Sequence, residues 1–353
     1  MIAVVSWIFV FGLLIMIHEF GHFIVARWAG VKVLEFSFGF GPKLISHQGK
    51  ETLYALRLFP LGGFVKMFGM DAEMDEQGKP VIAASDHPRS FMNKSIGKRI
   101  AIIAAGPVMN FVLAILLFIL VFAYMGIPEQ AEGSAIGSLI DGKPAMQAGF
   151  REGDQIIRVN GVDTPDWNAL IEVIHTQPEQ PLDVVIVRDG QQLALNVVTE
   201  KDPQTGYGMI GIAPAIVYKQ VSVWQSIKYG CIQTVSFTRM IIVTLFQMIT
   251  GQIPADVGGP VMIAQAVGEA AREGFMNLLI FTSAISIQLG LLNLFPIPAL
   301  DGSRIIFLLI EGVRGKPVKP ERENMIHLLG FALLLLFAVV VTYHDILRLF
   351  AKS

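Results

Sequence analysis

The chain has 353 residues, 53% of them hydrophobic and 16% charged, with a mean hydropathy of +0.57, which excludes an ordinary soluble protein and specifies an integral membrane protein. Its 27 Lys and Arg against 29 Asp and Glu leave a net charge of −2, without the basic excess that a nucleic-acid partner requires. The single cysteine, Cys231, excludes an intrachain disulfide and a thiolate metal site.

The first apolar run, Ile2 to Ala26, is long enough to cross a bilayer yet carries His18, Glu19 and His22. It has no basic n-region and no small-residue cleavage site, so it is expected to be retained rather than removed as a signal peptide. Three further runs have the composition of spans: roughly 100 to 125, 276 to 312 with polar interruptions, and 325 to 343. Eleven Lys and Arg lie from Arg27 to Arg99, and Arg314, Lys316, Lys319 and Arg322 lie between the last two runs. The positive-inside rule puts both basic connections in the cytoplasm and both termini outside. Gly230 to Thr250 is nearly apolar enough to be a fifth span. Gln233, Arg239 and Gln247 interrupt it, so it reads as an amphipathic helix at the outer interface.

Between the first two spans, Val33 to Pro42 and Thr52 to Phe59 alternate on either side of a polar Ser46 to Glu51 turn, a β-hairpin pattern. Gly62 and Gly63 follow, where glycine permits close backbone approach. Two placements are open for this segment: a small cytoplasmic sheet packed on itself, or a hairpin dipping into the membrane. Asp71 to Arg89 reads as an acidic loop. From Ile127 to Ala215 the composition becomes that of a soluble domain. Thr164 and Pro165 are expected to cap and begin a helix over Trp167 to Ile174, and Asp189-Gly190 to turn a hairpin between Leu182–Arg188 and Gln191–Val198. The run from Pro144-Ala145 to Asn160-Gly161 resembles a PDZ domain of the bacterial protease type. Such domains bind extended chains at a sheet edge, which leaves two expectations for this segment, a peptide ligand or a spacer without one.

His18-Glu19-Phe20-Gly21-His22 carries the chemistry. Positions i and i+4 share a helix face, so two imidazoles can bind one Zn²⁺, with Glu19 placed to act as general base on a water. An ionisable group at mid-bilayer costs on the order of 2.5 to 3.5 kcal/mol, so three together imply a use. Zinc needs a third protein ligand. In Asn293-Leu294-Phe295-Pro296-Ile297-Pro298-Ala299-Leu300-Asp301-Gly302, Pro296 and Pro298 must unwind the backbone, which leaves Asp301 as an intramembrane carboxylate. It is the candidate third ligand; an ion pair with Arg304 is the alternative. His18 lies nine residues before Arg27 and Asp301 thirteen before Arg314, so with four spans both sit on the order of 13 to 20 Å from the cytoplasmic side.

Together with Gly106-Pro107-Val108-Met109-Asn110 in the second span, these motifs resemble the site-2 protease family of intramembrane zinc metalloproteases, in its bacterial form with a single PDZ insertion. The resemblance covers most of the chain. It implies one zinc per chain on His18, His22 and Asp301, with Glu19 as catalytic base. It implies that Asn293, with Gly62, Gly63 and Phe64, engages the substrate backbone through a membrane-associated hairpin. Gly106, Pro107, Asn110, Pro296 and Pro298 are then structural residues near the site. The implied fold is a polytopic α-helical membrane protein of about four spans. Residues 1–126 form an N-terminal membrane core with a β-hairpin region at 31–69, and 127–215 an extracytoplasmic PDZ-like mixed β domain. Residues 216–275 form an interfacial helical region and 276–353 a C-terminal membrane core. The implied setting is the bacterial cytoplasmic membrane, and the implied substrates are single-span membrane proteins. A non-catalytic scaffold with a degenerate metal site is the competing expectation.

Overall fold

The first apolar run forms α1 (Ile2–Trp28), closed by Arg27 in its last turn and by Gly30 in the left-handed region, where the Val31 N–H returns to Ala26 O. The structure, a computed structural model, describes residues 2–70, 87–203, 205–254, 258–318 and 320–352. The expected Asp71 to Arg89 loop therefore lies, except for its last three residues, outside the described residues. Contacts divide the chain into two units, Met1–Phe122 with Val223–Ser353, and Ala123–Ser222.

In the first unit α1 leads into β1 (Val33–Gln48) and β2 (Leu53–Met67), the expected hairpin. Its ladder is folded back on itself: Phe36 is opposite both Tyr54 and Val65, and Ser37 opposite both Ala55 and Phe64. Residues 35–38 are thus paired on both sides, which leaves Gly63 to Met67 as an outer edge. The sheet lies along the second half of α1, with the Phe38 ring against Gly12, Gly63 beside Ile15 and Glu19, and Phe36 and Tyr54 around Phe23. Phe40, Leu44, Ile45, Leu58 and Phe59 are exposed at its far end. The second span, α2 (Ile96–Met125), begins four residues before the apolar run because the helix continues into its polar flank. It packs antiparallel to α1. Gly21 sits on Ala105 and Met109, and Gly106 on the two histidines, small residues that let the backbones approach.

The second unit opens with β3 (Ile127–Gln130), β4 (Ile136–Leu139) and α3 (Pro144–Gln147), followed by β5 (Gln155–Val159), β6 (Val162–Asp163) and α4 (Trp167–His175). It continues with β7 (Pro181–Arg188), β8 (Gln191–Val198), β9 (Glu200–Lys201), β10 (Gly208–Met209), β11 (Ile212–Pro214) and β12 (Ile216–Lys219). The order β6-β5-β7-β8 forms the main sheet, and β11 pairs with β4. The hairpin turns at Asp189 and Gly190, both at positive φ, as the sequence predicts. Two expectations need correction. Asp166, not Thr164, caps α4, accepting from the Ala169 N–H at 2.9 Å, while the Thr164 hydroxyl donates to Ile156 O. Residues 216–219, expected in the helical region, form β12, which pairs antiparallel with β3 in a two-stranded sheet joining the two ends of the unit. Ile136, Phe150, Ile156, Leu170, Leu182 and Ile186 fill the core between sheet and helix.

The chain then returns to the first unit with α5 (Val223–Ile249), α6 (Pro260–Glu273), α7 (Phe275–Leu294), α8 (Asp301–Arg314) and α9 (Pro320–Lys352). Among the described residues five helices, α1, α2, α5, α7 and α9, are long and apolar enough to cross a membrane. The expected break in the third run is present, as residues 295–300 between α7 and α8. The position of α5 follows from its ends. Gly230 packs on Ile115 and Ile119, nine and thirteen residues past Gly106 toward the far end of α2. At the other end, Ile253 N–H still bonds Gln247 O, and Gly259 N–H bonds Asp345 Oδ1. Asp345 lies 18 residues along α9 from His327, which contacts Ala299 beside Asp301, so Gly259 stands about 27 Å from that level. Six peptide steps separate Ile253 from Gly259, a reach of at most about 20 Å. The Ile253 end of α5 therefore stays on the Gly259 side of that level.

Candidate metal centre

Three helices bring the centre together. His18 and His22 lie one turn apart on α1 and face α2; Asp301 is the first residue of α8, where a helix N-terminus favours a carboxylate. His18 Nε2 is 3.1 Å and His22 Nε2 3.3 Å from Asp301 Oδ2, and the two Nε2 atoms are 3.3 Å apart. Asp301 Oδ2 is buried and, despite these neighbours, receives no hydrogen bond of acceptable geometry. Three lone-pair atoms converge on one point. In a tetrahedral site with bonds of about 2.0 Å the ligand atoms stand about 3.3 Å apart, so the separations fit zinc, and two imidazoles with a carboxylate are a donor set found in catalytic zinc sites. His22 Nδ1 donates to Ile102 O at 2.8 Å, which sets the tautomer that leaves Nε2 unprotonated. Asp301 pairs with the histidines and not with Arg304.

Backbone constraints hold the ligands. A methyl group at position 106 would overlap the His22 ring and come within 2.8 Å of His18 Nε2, so only glycine fits there. The same holds at Gly302, where it would strike the carbonyls of Leu294 and Phe295. Pro107 turns its carbonyl toward Gly290 on α7, and Asn110 reaches His18. In the 295–300 segment Pro298 packs on Gly330, and Ala299, at a φ of 77°, donates its N–H to His327 Nδ1 at 3.1 Å. Pro296 lies in the same segment.

The centre opens into a cleft of about 600 Å³ lined by His18, Glu19, His22, Asn293 and Asp301 and by the edge strand from Gly63 to Met67. Glu19, Asn293, Gly63 and Phe64 thus share one cavity. Gly62 does not line it. At a φ of 138°, it turns the chain beside the Phe40 ring, where a side chain would collide. Phe64 is held from outside the cleft by the Arg57 guanidinium 5.1 Å from its centroid, and Arg57 also bonds Glu35, Ser37 and Gly41.

Sequence reasoning missed several supports. His327 is a lone ionisable group inside an apolar run, a signal that could have been read. Ser286 Oγ, which donates to Asn110 O, and the carbonyl of Ile102 carry no such signal. Arg99 and Glu311, paired at 2.5 and 3.0 Å, tie α2 to α8 below the centre and could be matched only once the helices were packed.

A profile described as Peptidase family M50 matches residues 6–337. Zinc metalloprotease RasP of Oceanobacillus iheyensis is 35% identical over 99% of this chain and 100% of that protein. Regulator of sigma-W protease RasP of Bacillus subtilis is 33% identical over 99% of each. Probable protease eep of Enterococcus faecalis is 31% identical, again over 99% of each. Among solved structures, the PDZ domain of the SdrC-like protein from Listeria monocytogenes aligns with 24% of this chain and 90% of its own, at 18% identity and a TM-score of 0.22.

Proposed function

The chain belongs to peptidase family M50, and from that membership we infer that it is an intramembrane zinc metalloprotease of the site-2 type, hydrolysing peptide bonds within transmembrane segments of other membrane proteins. The observation that carries this is the convergence of His18 Nε2, His22 Nε2 and Asp301 Oδ2 in a cleft that also holds Glu19. When bound, zinc supplies a Lewis acid for the scissile carbonyl and acidifies a water. Glu19 takes a proton from the attacking water on its carboxylate and delivers it to the leaving amide nitrogen. His18, His22 and Asp301 are the ligands, and Asn293 binds substrate backbone.

A helical substrate hides its amides in its own hydrogen bonds, so it must unwind before attack. The edge from Gly63 to Met67 runs along the cleft with one side paired to β1, and it offers its other side to an extended substrate by strand addition. The exposed apolar residues from Phe40 to Phe59, on a sheet lying against α1, support a membrane-associated hairpin. For topology the reading is four crossings, by α1, α2, the broken α7–α8 pair and α9. The α5 helix lies at the outer interface, which the reach from Ile253 to Gly259 supports. The basic connections then face the cytoplasm and Ala123–Ser222, read as the PDZ-like domain, faces outward in the bacterial cytoplasmic membrane. Substrates of the class are single-span proteins such as anti-sigma factors or signal-peptide remnants.

Glu19→Gln tests the assignment. The variant keeps one zinc per chain and loses cleavage of a single-span substrate by about 10² to 10⁴-fold. Normal cleavage would sink the role of Glu19. A zinc-free wild type would favour the scaffold alternative, which the intact Glu19 and complete ligand set argue against.

A further inference from the structure

The side chain of Asn110, fully buried on α2, points one end of its amide at a ligand and leaves the other without a partner. Its Nδ2 is 3.2 Å from His18 Nδ1, while Oδ1 is buried and accepts no hydrogen bond. If Nδ2 donated to Nδ1, that nitrogen would carry no proton, and a neutral ring would carry it on Nε2. Nε2 is the atom that stands 3.3 Å from His22 Nε2 and 3.1 Å from Asp301 Oδ2, and a proton there would occupy the lone pair a ligand must offer. A half-turn of the amide exchanges Oδ1 and Nδ2 with almost no change of shape. Oδ1 then accepts from Nδ1–H, gains the partner it lacks, and leaves Nε2 free.

We propose that Asn110 is a positioning residue for His18, its carbonyl oxygen accepting the Nδ1 proton so that the ring presents an unprotonated Nε2 to zinc. The Ile102 carbonyl does the same for His22 at 2.8 Å. One ligand is therefore oriented by backbone and the other by a side chain, and only the second can be altered by substitution. Asn110 is itself fixed from α7. Ser286 Oγ donates to its backbone carbonyl at 2.7 Å, and Gly290 leaves just enough room for its Cβ. The inference rests on the zinc reading above and adds to it the device that sets one ligand's tautomer.

The test is zinc affinity of the full chain in detergent, measured by competition with a chelator, for wild type, Asn110→Ala, Asn110→Leu and Asn110→Asp. The Ala and Leu variants should bind zinc about 10 to 100-fold more weakly. Asp can only accept, so Asn110→Asp should keep wild-type affinity. An Asn110→Ala variant with wild-type affinity overturns the proposal, as does an Asn110→Asp variant as weak as Ala. Should the variants not fold, ¹⁵N-histidine spectra of zinc-free wild type decide it, with His18 assigned by its loss in His18→Gln. A proton on Nδ1 supports the role, and one on Nε2 overturns it. Wild type that binds no zinc would remove the proposed function instead, and the tautomer measurement would still be readable.

Discussion

Asp154 shows at the residue scale how a single charge is made structural. Burial by itself would raise its pKa. The Arg188 guanidinium, bonded through Nε and Nη2 at 2.7 and 2.8 Å, and the Arg151 N–H at 2.8 Å outweigh that and hold the carboxyl below the usual carboxylate range. A depressed folded-state pKa contributes stability that is present above the unfolded value of about 3.9 and is lost as pH falls through the lower folded value. Hydrogen-exchange protection of residues 123–222 in the full chain should therefore fall below about pH 4. Asp154→Asn should lower it by about 1.5 to 3 kcal/mol at neutral pH and flatten that acid limb. An unchanged acid limb in the variant would show that another group controls it. The candidate metal ligands follow the same logic of enclosure, with Gly106 admitting both imidazoles because it has no side chain.

Among the elements, the segment between α7 and α8 depends on a neighbour for its conformation. Ala299 holds a positive φ without being glycine, a conformation costing on the order of 1 kcal/mol, and its N–H is bonded only because α9 offers His327. His327→Leu leaves that part-buried donor without its partner, at a cost of about 1 kcal/mol. Because Asp301 begins two residues later, the expected result is faster loss of zinc to a chelator, with cleavage reduced in parallel; zinc retention equal to wild type would dissociate α9 from the centre. The hairpin is the contrasting case. Its strands and its turn were legible from alternation, but the double pairing of residues 35–38 was not, since alternation specifies a face and not the number of partners.

At the scale of the molecule, topology and domain role can be tested separately. With α5 at the outer interface, Gln252→Cys in a Cys231→Ser background should react with a membrane-impermeant maleimide from outside intact cells. Labelling only after the membrane is opened would make α5 a span. The inserted unit is attached by a closed stem, because Ile127 and Lys219 are opposite each other on β3 and β12, so a short glycine linker can replace 127–219. If the unit filters substrates by the size of their outer domain, the excised protein should keep its zinc and cleave a single-span substrate whose bulky outer domain protects it from wild type. Cleavage with unchanged discrimination would show that the unit does not filter substrates by size.

Hydropathy was sufficient to identify a membrane protein and to locate its apolar runs, because a bilayer sorts residues by properties each residue carries alone. Helical periodicity paired His18 with His22, and the two prolines predicted the break before Asp301, because both are local backbone effects. Tertiary structure alone decided that Asp301 turns to the histidines rather than to Arg304, and which strand of the hairpin borders the cleft. It also decided that Asn110 and Ile102 each stand behind one imidazole. Those are relations between residues up to about three hundred positions apart, and their distances depend on how helices approach through glycines such as Gly21 and Gly106, which no local pattern contains.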